Sequence, residues 1–217
     1  MSPRNLLSDP AWQGSDLGHP LPDSPHAVSV ALPRWRDVVA YEEKDPACRN
    51  ALQTIYPRFG LHPLIRQLVQ PSELAGSTVW PYPTEAAAQA ALAHCQRKAP
   101  ESRSELIAIA GLTCLRSDAA ASPHAKAFWQ HTGLGLSSRR AAIALGLETA
   151  PTSADGEAAR EQIRQRLAAL HGIGAERISL HPAGMAGLHA ALTAVQTLRP
   201  GRATLQLGFP YVDVLCL

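Results

Sequence analysis

The order of apolar runs, caps and turns predicts a mixed α/β protein, and three stretches carry that prediction. "RISLH" (177–181), "MAGLHAALTAVQTL" (185–198) and "ATLQLGF" (203–209) alternate strand, four-turn helix and strand. That is the pattern of a right-handed parallel βαβ unit. "TEAAAQAALAHCQRK" (84–98) is a capped helix, with Thr84 as N-cap, Glu85 in the first turn and Arg97 and Lys98 at the end. Those charges match the signs a helix macrodipole favours. "SELIAIAGL" (104–112) is an apolar run of strand length, expected as a buried strand.

The remaining elements are read along the chain. Residues 1–25, rich in Pro, Gly, Ser and Asp, are expected to be a disordered tail. "HAVSV" opens an alternating stretch at Val28 and Val30. In "DPACRNALQTIY" Asp45 caps and Pro46 takes the first helical position, and "HPLIRQLVQ" repeats that opening. "STVWPYP" is a short strand stopped by prolines. Residues 26–120 are thereby expected to form an α/β extension, a unit separate from the rest of the chain and without contact to any cofactor. A second unit, residues 121–217, starts with the helix "SPHAKAFWQHTG", where Ser122 caps and Gly133 ends it. A short helix "SSRRAAIALG", a polar loop "LETAPTSADGE" and an amphipathic helix with Ile163, Leu167 and Leu170 on one stripe come next. The chain ends at "DVLCL", directly after the second strand of the βαβ unit. Parallel strands are covered on both faces, so this unit is expected to be an incomplete domain.

Composition excludes several classes of function. Of the residues 46% are hydrophobic and 18% charged, with a net charge of +2. Such a balance gives no electrostatic attraction for nucleic acid or an anionic membrane. No apolar run reaches the length of a membrane span. The first twenty residues have neither an apolar signal core nor the Arg-rich, acid-poor character of a transit peptide. The four cysteines (Cys48, Cys95, Cys114, Cys216) match no metal or redox spacing. No metal is expected, and free thiols point to the cytoplasm.

The chemistry concentrates at three places. The junction "PAG" before the 185–198 helix offers no side-chain oxygen to cap its first N–H groups. A bare helix start with Gly184 suits an anion, and equally a shell of water. "GFPYVDVL" places Tyr211 just after the following strand, beyond the carboxyl ends where ligands of parallel sheets sit. There it either faces a ligand or joins the core. In "FWQHTGLGLSSRRAAI" two arginines sit at a helix start, against the dipole. They are either anion ligands or a solvated pair. His131, beside Trp129, is read as structural, and "YPRFG" (56–60) as a packing turn.

These blocks, with "PHAVSVALPRWRDVVAYEE" and "YPRFGLHPLI", resemble the N-terminal half of the cystathionine γ-synthase-like enzymes of cysteine and methionine metabolism. The likeness is to the fungal-type branch with a long N-terminal extension, and it runs from about residue 25 to the end. It implies an N-terminal mixed α/β extension followed by the beginning of a transferase domain. That domain would be dependent on pyridoxal 5′-phosphate (PLP) and of the aspartate aminotransferase-like fold type I, truncated here. By the same resemblance Gly184 and Met185 give backbone N–H groups to the PLP phosphate, with Ala183 where the family has a hydroxyl residue. Tyr211 stacks on the pyridine ring. Ser138 and Arg139 reach the phosphate of a neighbouring subunit's cofactor, which implies a homo-oligomer at full length. Ser137 stands where the family has a tyrosine. The family's Schiff-base lysine lies beyond Leu217, and Lys44, Lys98 and Lys126 have no fitting context, so no catalytic residue is assigned.

Two functions of different class are compatible with these residues. One is part of a cystathionine γ-synthase, joining an activated homoserine ester to cysteine, and inactive as this chain alone. The other is a non-catalytic binding or regulatory protein of that descent, with "YPRFG" and "WRDVVAYEE" as partner surfaces.

Overall fold

The computed structural model describes residues 5–9, 12–56 and 59–217. Pro57 and Arg58 of the "YPRFG" turn lie outside the described residues. Eight α-helices and three strands are present among them: α1 (Trp35–Glu42), α2 (Pro46–Ala51), α3 (Pro63–Val69), β1 (Ser77–Tyr82), α4 (Glu85–Lys98), β2 (Ser104–Ile109), β3 (Leu112–Asp118), α5 (Ser122–Thr132), α6 (Ser138–Ala144), α7 (Ser153–His171) and α8 (Gly184–Leu198).

The sheet is small, antiparallel and ordered β1-β3-β2. The run "SELIAIAGL" is not one buried strand. It holds β2, a turn and the first residue of β3, with Ile109 paired to Leu112. Ala110 (φ 47°) and Gly111 (φ 77°) are both left-handed, as a two-residue hairpin turn of the right twist requires. β3 is the central strand, and β2 lies at an edge and is half exposed. Pro81 is accommodated because β1 is the other edge.

Local chemistry sets the helix starts much as the sequence implies. Asp45 accepts from Cys48 N and Thr84 from Ala87 N. Ser122 is not the cap of α5: Ala121 takes that place without a side-chain bond, and its N–H is held by Asp118 Oδ1 at 3.0 Å. Thr152 caps α7, so the second part of the expected loop 147–157, from Ser153 on, belongs to that helix.

Two apolar clusters flank the sheet. Trp80, Tyr82, Ala88, Cys95, Leu115, Ala125, Phe128 and Trp129 join β1, α4 and α5. Ile65, Val69, Val79, Cys114, Leu136 and Ala141 join α3, the sheet and α6. Helix α5, beyond residue 120, thus packs directly on the sheet of the extension, and α6 packs on α3 beside it. Residues 12–25, expected as a tail, are bonded to neighbours: Gly18 N donates to Ala31 O, Leu21 N to Ser29 O and Gln53 N to Gly18 O.

The expected parallel βαβ unit does not form. Helix α8 is present, but 178–181 and 203–207 have no regular secondary structure and no ladder partner among the described residues. A strand holds its shape through hydrogen bonds to a neighbour, and neither segment has them. Leu205 and Leu207 are 83% and 84% exposed and Phe209 is fully exposed. The total surface, 14,020 Å², exceeds the roughly 9,700 Å² expected of a compact monomer of this mass. No helix among the described residues is long and apolar enough to cross a membrane.

Candidate functional site

Helix α8 opens as the sequence suggests. Ala183 is its N-cap, extended at φ −152° and ψ 159°, and gives no side-chain hydrogen bond. The first N–H groups of a fifteen-residue helix therefore face outward with the positive end of its dipole. A β-carbon placed on Gly184 would meet no protein atom within 4 Å. Packing does not demand a glycine there, so the space it leaves open lies on the outer side of the helix.

What holds this helix end in position is Gly133, the left-handed terminus of α5 (φ 67°). A β-carbon there would stand 2.8 Å from Ala186 N and 3.1 Å from Met185 Cβ. Two residues on, Gly135 lies against Trp129, whose Nε1 would be 2.6 Å from a β-carbon. The "TGLG" turn is thus a close-approach device between α5, α8 and the buried pair Trp80 and Trp129, whose ring centroids are 5.1 Å apart.

Tyr211 is brought to the same place without a strand to carry it. Two residues further on, Asp213 is buried and accepts a hydrogen bond from His131 Nδ1 at 3.1 Å. This bond ties the C-terminal segment to α5. His131 is structural, as expected, and its partner makes it a tether.

All five residues predicted for the site meet on one cleft of about 670 Å³. Gly184, Met185, Tyr211, Ser138 and Arg139 line it, together with Trp129, Leu136 and Leu188. Three distant parts of the chain converge there. Arg139 is exposed and has no ion-pair partner among the described residues. It is the one guanidinium among the described lining residues and no carboxylate is among them, so the local field favours an anion. Ser138 and Arg139 stand on the same chain's cleft as Gly184, whereas the resemblance implies a neighbour's cofactor.

The expectation that residues 26–120 stay clear of this crevice is overturned. His26, Val28, Gly60, His62 and Ile65 form part of its wall. His62 is buried; its Nε2 donates to Ala27 O at 3.2 Å and its Nδ1 accepts from Leu64 N at 3.3 Å, capping α3. Burial, with a smaller effect of nearby His26, pushes its pKa below the ordinary value despite the bond to Ala27. Thr54 Oγ1 donates to the same carbonyl at 2.5 Å. Ala27 is thus held from two sides, and His26 beside it reaches α6: Nδ1 lies 3.1 Å from Ser138 Oγ and Nε2 2.5 Å from Glu148 Oε1. Sequence reasoning missed both histidines. Their only signal was a histidine next to a proline at the edge of an apolar run, "PHAVSV" for His26 and "HPLIRQLVQ" for His62. No cluster of metal-ligating side chains is present among the described residues.

Residues 61–137 match the family of fungal trans-sulfuration enzymes over its N-terminal domain. Over those residues the chain resembles the N-terminal domain of that fungal-type family. An L-2-amino-4-chloropent-4-enoate dechlorinase/desaturase of Streptantibioticus cattleyicolor is 33% identical over 211 residues, covering 91% of this chain and 42% of that protein. A cystathionine gamma-synthase of Neurospora crassa is 30% identical over 162 residues, 61% of this chain and 26% of that protein. One from Saccharomyces cerevisiae is 47% identical over 49 residues, 23% of this chain and 8% of that protein. The matches span less than half the length of each of these relatives. No solved structure matches the chain. The matched stretch supplies His62, Ile65, Trp129, Gly133, Gly135, Leu136 and Ser137 to the cleft wall. Ser138, Arg139, the α8 terminus and Tyr211 lie beyond its end.

Proposed function

We propose that this chain carries the phosphate-binding end of a PLP site in a trans-sulfuration enzyme, of fold type I when complete. The observation that supports this most is the convergence of Gly184, Met185, Ser138, Arg139 and Tyr211 on one cleft. The donor set fits the cofactor. An uncapped helix start and an unpaired guanidinium suit a phosphate dianion. The open side of Gly184 admits it close to the backbone, and the Tyr211 ring offers a face to a flat heterocycle.

In this reading each residue has a separate task. The N–H groups at Gly184 and Met185 fix the phosphate, and Arg139 neutralises it. Tyr211 limits how far the ring tilts. Trp129, Leu136 and Leu188 keep the inner wall apolar and exclude water from the anion's contacts. When bound, PLP supplies the electron sink that lets bonds at the amino-acid carbons break.

The substrate class is an amino acid with a leaving group on its γ-carbon. The named relatives agree on that position: cystathionine synthesis replaces a γ-substituent, and the chloropentenoate substrate carries its chlorine at carbon 4. Replacement by cysteine is the primary reading; elimination without replacement is the second, favoured by the 91% coverage against the dechlorinase/desaturase. The reaction itself belongs to the longer protein of the kind these relatives represent.

The test is retention of PLP on dialysis by the 217-residue chain and by Gly184→Val. Two charge-assisted hydrogen bonds of about 1.5–3 kcal/mol each depend on close approach, so the variant should lose affinity by at least about tenfold. Arg139→Ala should weaken binding in the single chain, since Arg139 shares that chain's cleft. Equal retention by parent and Gly184→Val would mean that water caps α8 and that the site is not a phosphate site.

A further inference from the structure

The three-membered chain Glu148–His26–Ser138 links the N-terminal segment to the anion end of the cleft, and no assigned role accounts for it. His26 is nearly buried, with 9% of its side chain exposed, and its neighbour Ala27 is anchored by the two hydrogen bonds that Thr54 and His62 donate to Ala27 O. Its ring nitrogens are both engaged, one by a carboxylate and one by a hydroxyl.

The direction of the proton on Ser138 depends on the ring's state. A neutral ring that gives its Nε2 proton to Glu148 has only a lone pair at Nδ1. Ser138 must then donate to it, and turns a bare oxygen toward the cleft. A ring protonated on both nitrogens donates to Glu148 and to Ser138 Oγ together. The hydroxyl proton is then free to point at a bound anion.

We propose that His26 is a positioning residue for anion binding: as the anion binds, Nδ1 takes up a proton from solvent and turns Ser138 from acceptor to donor. Glu148 balances the added charge. The other titratable or charged side chains on the cleft wall, among the described residues, are His62, Arg139 and Tyr211. Arg139 keeps its charge throughout, and His62 is held neutral by burial with both nitrogens bonded. The inference rests on the phosphate-end reading above.

Sulfate is a suitable probe because it carries no titrating proton near neutrality. Binding of sulfate to the full chain, followed by tryptophan fluorescence, should weaken as pH rises from about 6 to about 8, by up to about tenfold per pH unit, the limit for one linked proton. His26→Gln, whose amide can donate to Ser138 at every pH, should bind sulfate with little pH dependence. Ser138→Ala should bind weakly at both. Persistence of the full pH dependence in His26→Gln would overturn the proposal, as would unchanged affinity in Ser138→Ala. PLP binding by the parent separates the failures. A chain that binds PLP but shows no His26-dependent sulfate effect refutes this inference alone; a chain that binds neither refutes the phosphate-end reading with it.

Discussion

Gly133 and Ala186 are in contact through their backbones, with 2.8 Å between the position of a β-carbon on Gly133 and the nitrogen of Ala186. This contact seats the bare start of α8 beside the arginine-bearing helix α6. Gly133→Ala should therefore cost stability by at least about 1–2 kcal/mol from the left-handed backbone alone. It should also lower PLP affinity, because Met185 and Ala186 must move. Gly184→Ala meets no protein atom and should leave the urea midpoint unchanged. Equal midpoints for both variants would show that the α5–α8 contact is not tight in solution.

Acid should loosen the wall formed by His62. Burial holds the folded-state pKa of His62, and those of His94 and His189, below the ordinary histidine value. The unfolded chain binds more protons between the two values, so stability rises with pH across that window. The contribution is fully present above about pH 6.5 and is lost as pH falls toward the lowered folded values. Urea midpoints at about pH 5 and pH 7.5 should differ, with a smaller difference in His62→Gln. An equal pH effect in that variant would assign the acid loss to the other two histidines.

Tyr82 is fully buried, and its hydroxyl has no hydrogen-bond partner among the described residues. An unsatisfied buried polar group costs about 1–3 kcal/mol. Tyr82→Phe should keep the edge contact with Phe128, at 6.1 Å between centroids, and raise stability by about 1 kcal/mol. A loss of stability would mean that the hydroxyl is bonded in solution.

No lysine is among the described residues that line the cleft. PLP bound to this chain should accordingly be held without a covalent link and leave no adduct after borohydride reduction. Mass spectrometry that finds a reduced adduct on Lys44, Lys98 or Lys126 would overturn this expectation.

Much of the local structure was legible in the sequence because its causes are local. Asp45 and Thr84 cap because a short oxygen-bearing side chain reaches the N–H three residues on. The Gly184 junction announces an uncapped helix by residue type alone, and the five residues that line the cleft were named through the family resemblance. The β2–β3 hairpin was misjudged because "AIAGL" reads as continuous apolar sequence. Only the left-handed pair Ala110 and Gly111 divides it.

The pairing of strands and the composition of the cleft wall were decided by tertiary structure. "RISLH" and "ATLQLGF" have strand-like residues, yet a strand needs a neighbour's hydrogen bonds and neither finds one among the described residues. The sequence marks His26 and His62 as ordinary polar positions. Their place beside α6 depends on Thr54 and His62 both donating to Ala27 O, and on Glu148 reaching His26 from 122 residues away. Caps and turns are set by atoms within a few residues of one another. Walls and ladders are set by segments that folding alone brings together.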